Sequence, residues 1–121
     1  MIRGRWKLLV VGAGLVIASG LVWSLASAQA IKGVKQMALY TATLSPTVIA
    51  VNTTAEQTFT VPGLRVGDFV AVSKPTAQAG LGIVGQRVSA ANTLAITFAN
   101  VTGTTITPTA SQVYTIFGVR S

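Results

Sequence analysis

The chain has no cysteine and no histidine, and its only carboxylates are Glu56 and Asp68. Each absence removes a class of chemistry. Without cysteine there is no disulfide staple, no thiolate nucleophile and no thiolate metal site. Lack of histidine takes away the side chain that most often acts as general base near neutral pH and most often ligates metals. Serine and threonine are plentiful, yet with no base beside them none is activated. Two carboxylates could in principle share acid–base work on a glycoside. The reading preferred here is that Asp68 caps a turn and Glu56 is solvated at a strand start. No catalytic, cofactor-binding or metal-ligating residue is nominated, and the chain is expected not to be an enzyme.

Nine Lys or Arg face those two acids, and the formal net charge is +7. Arg3, Arg5 and Lys7 sit in the head, MIRGRWK. Lys32, Lys35, Arg65, Lys74, Arg87 and Arg120 are scattered singly over the remainder. Nucleic-acid binding would call for clustered cations, so solvated surface charge is the expectation and no specific nucleic acid is implied.

Leu8 to Ile31 contains no charged residue. As a helix it would measure about 36 Å, against a hydrocarbon core of about 30 Å. Trp6 and Trp23 would then lie about 25 Å apart, suited to interfacial anchoring. Three readings of this segment stand. It is a secretory signal, with Ala26-Ser27-Ala28 or Ala28-Gln29-Ala30 as the cleavage site. It is a retained transmembrane anchor whose basic head stays in the cytoplasm. Or it is shielded by copies of itself, through the i, i+4 rows Gly14, Ala18, Val22 and Gly20, Ser24, Ala28. The expected organisation is therefore a basic head and apolar helix over 1–30, a linker over 31–36 and a β-domain over 37–121.

No helical period follows Ala30. Short alternating runs rich in Thr and Val are punctuated by turn residues. The expected strands are MALYTATLSP from Met37, Thr47–Val51, Gln57–Val61, Phe69–Ser73, Gln86–Ala90, Thr93–Phe98, Thr104–Thr107 and Gln112–Arg120. Asn52-Thr53-Thr54, Pro62-Gly63 and Ala91-Asn92 read as turns. Phe69–Ser73 is apolar on both faces, which predicts a central strand covered on both sides. In Thr93–Phe98, Leu94, Ile96 and Phe98 should point inward. Phe59, Phe69, Phe98, Tyr114 and Phe117 follow the β period and are expected in the core. Seven or eight strands at roughly 8–12-residue spacing predict a small antiparallel β-sandwich or jelly roll.

Gly80 to Gly85 spells GxGxxG. A dinucleotide site would need a helix opening at the third glycine and an acid about 20 residues on. QRVSAANT does not continue as a helix and no acid follows Asp68, so the glycines read as a bulged strand or a close-packed loop. Asn52-Thr53-Thr54 and Asn100-Val101-Thr102 match the N-glycosylation pattern, which suggests only exposed loops.

The succession QTFTVPGLRVGDFVAVSKP, AQAGLGIVGQRVSAANTLAITFAN, TPTASQVYTIFGVR resembles a small all-β module of tailed-bacteriophage virion structural proteins, of head-decoration or fibre type. The likeness covers about residues 47–120. It is carried by Pro62-Gly63-Leu64, Gly67-Asp68, Pro75, Gly80-Leu81-Gly82, Arg87-Val88-Ser89-Ala90 and Leu94–Asn100. The resemblance implies a non-enzymatic sandwich without cofactor that self-associates, commonly as trimers, and docks on other capsid or virion proteins. The apolar N-terminus departs from a simple decoration module. An exported or inner-membrane-anchored envelope domain that binds a partner or ligand is the alternative, with residues 8–30 as its membrane contact.

Overall fold

A computed structural model describes residues 33–121, and the helix expected over the apolar N-terminal run lies outside them. Lys35–Ser121 forms one compact unit. It contains six strands: β1 (Gln36–Leu44), β2 (Thr53–Thr60), β3 (Phe69–Ser73), β4 (Leu81–Ala90), β5 (Thr93–Asn100) and β6 (Gln112–Arg120). They form two antiparallel three-stranded sheets, ordered β1-β6-β3 and β2-β5-β4. The architecture is all-β and sandwich-like.

The strand count falls short of the sequence expectation. Thr47–Val51 and Thr104–Thr107 are not strands; each contributes one residue to an isolated bridge, Ile49 with Ile106. Their residues favour extended backbone, but they lie in connections that cross between the sheets, where no neighbouring strand runs alongside. Gln86–Ala90 is the second half of β4. Its first half holds Gly82 and Gly85, with a register shift between Ile83 and Gly85, so the glycine-rich stretch is a bulged strand. Six strands among the described residues are fewer than the eight of a jelly roll.

Inward positions of both sheets meet in one core: Leu44, Val70, Tyr114 and Ile116 from one, Val88, Leu94, Ile96 and Phe98 from the other. Ile49, Val61 and Leu64 join it from the crossings. Leu94, Ile96 and Phe98 are fully buried, as their alternation demands. Tyr114 is also fully buried, and among the described residues its hydroxyl has no hydrogen-bond partner.

The chain passes repeatedly from sheet to sheet, and side-chain amides fasten those crossings. Asn92, at φ 61, caps the β4–β5 turn. Its Oδ1 accepts from the Gly63 amide at 2.8 Å, and its own amide donates to the Leu64 carbonyl at 2.8 Å. Gly63 has φ 104, as the Pro62-Gly63 turn requires. Asn100 is 1% exposed; its Nδ2 donates to the carbonyls of Ile49 and Thr104, and its Oδ1 accepts from Thr102. This corrects the exposed-loop reading of Asn100-Val101-Thr102, because the acceptor amide is buried and fully engaged.

Candidate docking surface

The two carboxylates are placed first, since any acid–base site would have to use them. Glu56 lies within β2, not at its start, and pairs with Arg87 of β4 through two bonds of 2.8 and 3.0 Å. The pair spans the middle strand diagonally. This is feasible because the β5 residues opposite are Thr97 and Ala95, short enough to leave the space above them free. The Arg87 hydrogen bonds hold the Glu56 carboxyl below its usual range.

Asp68 lies in the turn before β3, on the other sheet. Its Oδ2 accepts from the Arg65 amide at 3.0 Å, the turn cap the sequence predicted. Arg120 then grips both its oxygens at 2.8 and 2.7 Å, in a largely buried pair. The same guanidinium donates to Gln36 Oε1 and to the Gly63 carbonyl. These bonds, first among them Arg120's, hold the Asp68 carboxyl down to about 2. Each acid is thus committed to an arginine, and Arg87 and Arg120 are partnered where free solvated charge was expected. Among the described residues no cluster of three His, Cys, Asp or Glu offers a metal site. A groove of about 390 Å³ lies between Lys74–Gln78 and Leu81–Ile83, and the Lys74 ammonium at its rim donates to the Thr76 carbonyl.

The most unusual surface is the outer face of the β1-β6-β3 sheet. Register aligns Met37, Val119 and Phe69 in one row and Leu39, Phe117 and Ala71 in the next. Met37 is 54% exposed, Leu39 71%, Phe69 63% and Phe117 36%. Val113, further along β6, is 53% exposed. Met37, Leu39, Phe69 and Phe117 together expose on the order of 400 Å² of largely apolar surface, within the range of a monomer's largest apolar patch, which is often functional. The next row, Thr41, Thr115 and Ser73, is polar and bounds the patch.

Two expectations are corrected here. Phe69 and Phe117 point to solvent, not into the core. β3 is an edge strand of its sheet and not a central one, with Val70 buried and Phe69 and Ala71 exposed. Two-sided apolarity looks the same in sequence whether the second face meets another sheet of the same domain or a separate partner. The distinguishing signal lies in the register, which sets Met37, Leu39, Phe69 and Phe117 of three strands side by side and which no single strand shows. No protein-family model, curated protein or solved structure matches this chain.

Proposed function

We propose that this domain is a non-enzymatic assembly module, a structural component of a tailed-bacteriophage virion that self-associates and docks on neighbouring particle proteins. The observation that carries the assembly reading is the contiguous apolar row set on the outer face of β1-β6-β3. Covering it removes exposed Phe, Leu and Met from water, at roughly 25 cal/mol per Å². The virion assignment rests on the resemblance over residues 47–120, and a trimer is the favoured oligomer on that ground. Engagement of both carboxylates by arginine supports a role without acid–base chemistry. Mass spectrometry of purified virions from the source tests the assignment: the chain should be present at structural copy number, and its absence ends the virion reading.

A second reading is favoured by the basic head and the uncharged run from Leu8 to Ile31. In it, the same module is anchored in a bacterial envelope and its apolar face meets a partner there. It expects recovery in the membrane fraction, or a mature N-terminus near Ala28 or Ala30. Soluble material that retains Met1 would exclude it.

A further inference from the structure

An antiparallel sheet exposes two edges, and an edge whose amides and carbonyls lack partners is a template for another strand. The described residues present four: β1 and β3 on one sheet, β2 and β4 on the other. Three carry features that discourage pairing. β3 has only five residues. β4 has two register shifts and bears Arg87. β2 bears Glu56, and its Gln57 side chain is folded onto Thr47, donating to the carbonyl at 3.0 Å and accepting from the amide at 2.8 Å.

β1 has none of these. QMALYTATL is nine residues long, with no charge, no proline and no shift in its register with β6. Among the described residues β6 is its only ladder neighbour, and no other backbone bond engages Gln36–Leu44. Its inward residues Ala38, Tyr40 and Ala42 are only half-buried, as befits an edge strand among the described residues.

We propose that the free edge of β1 pairs antiparallel with the same edge of a second copy, joining two three-stranded sheets into one of six across a twofold axis near Tyr40. A strand is its own antiparallel partner, because a twofold contact puts the same residues on both sides. The absence of charge on β1 means that no like charges meet at the seam, whereas β2 or β4 would bring Glu56 or Arg87 towards its own copy. The union also doubles the apolar outer face, since Met37 and Leu39 of both copies then lie on one sheet. This contact deepens the self-association reading and is distinct from any threefold contact made by the apolar face. Used together, twofold and threefold contacts build a net of copies.

The chain has no native cysteine, so single cysteines introduced into the full-length protein report the seam. Leu39→Cys, Thr41→Cys and Thr43→Cys all point outward from β1, and Thr58→Cys on β2 serves as control. Pairing about Tyr40 sets Leu39 opposite Thr41 of the copy. A short bis-maleimide of about 8 Å reach, applied in detergent, therefore gives a band at twice the monomer mass for Leu39→Cys and Thr41→Cys, falling off at Thr43→Cys and absent for Thr58→Cys. Adding Thr41→Lys to Leu39→Cys places like charges beside the axis and should abolish that band without unfolding the domain. Equal bands at all four positions, or no band at any, overturn the proposal. Crosslinking at Thr115→Cys that exceeds both Leu39→Cys and Thr41→Cys also overturns it, in favour of face-to-face stacking. If the chain is found in virions but β1 fails to crosslink, the virion role stands and the edge contact falls. If the chain is absent from virions and β1 crosslinks, the edge contact stands alone.

Discussion

The outer surfaces of the two sheets differ although both are built from alternating antiparallel strands of one domain. On β2-β5-β4 the outward positions are mostly short or polar: Thr54, Glu56, Thr58 and Thr60 on β2, then Thr93, Ala95 and Thr97 on β5. Ala95 is fully buried, and Val84, at the β4 register shift, is the exposed apolar side chain. The Glu56–Arg87 pair lies across this flat surface. On β1-β6-β3 the corresponding positions hold Met37, Leu39, Phe117 and Phe69. Inward positions of both sheets share one core and are constrained alike. Outward positions are free of that constraint, and there the two sheets diverge: one outer face is largely small and polar, the other carries a row of large apolar side chains.

Substitutions can separate these roles. The largest effect belongs to the shared core. Phe98→Ala removes a fully buried ring from the middle strand and should cost about 3–5 kcal/mol in chemical denaturation. Next comes the Arg120 clamp. Asp68→Asn leaves a largely buried guanidinium without its counter-charge and should lower the melting midpoint by several degrees. The same pair sets an acid limit. Asp68 titrates near 2 when folded and near 3.8 ordinarily, so its stabilisation is complete above the latter and fades as pH falls through the former. Acid unfolding of the Asp68→Asn variant should lack that component.

A smaller effect is expected at Gly118, where an added Cβ would stand 3.1 Å from Tyr40 Cε1; Gly63 faces the same ring at 3.0 Å. Gly118→Ala should cost about 1–3 kcal/mol, as tight overpacking does. Smaller still is the folding effect of the exposed patch. Leu39→Ser with Phe69→Ser should leave stability within about 0.5 kcal/mol while weakening self-association in sedimentation. Thr58→Ser with Thr60→Ser should alter neither. If the apolar pair destabilises folding as strongly as Phe98→Ala, the face belongs to the fold and the contrast between sheets collapses. At the bottom, Glu56→Gln removes an exposed pair and should leave the melting curve unchanged.

The sequence revealed the fold where a pattern was local. Leu94, Ile96 and Phe98 alternate over six residues, and only one face of β5 could be the core side. Pro62-Gly63 and Ala91-Asn92 announce their turns through backbone preferences carried by the residues themselves. What stayed hidden depends on register between distant segments. Arg120 meets Asp68 across fifty-two positions and Arg87 meets Glu56 across thirty-one, so neither pairing leaves a spacing to read. The apolar face is the same kind of case. Met37, Phe69 and Phe117 are unremarkable singly and become a surface only when three strands are laid side by side.

The Arg120 clamp also bears on how the domain carries load. Gln36 and Arg120 stand opposite each other where β1 begins and β6 ends, so both strands enter the domain at one end of the same ladder. A pull between those two residues would not shear the ladder as a whole; it would open it like a zip, one bond at a time. At the first tooth sits a guanidinium holding Gln36, Asp68 and the Gly63 carbonyl together. The molecule has its multivalent fastener at the point where tension between its ends would begin to tear.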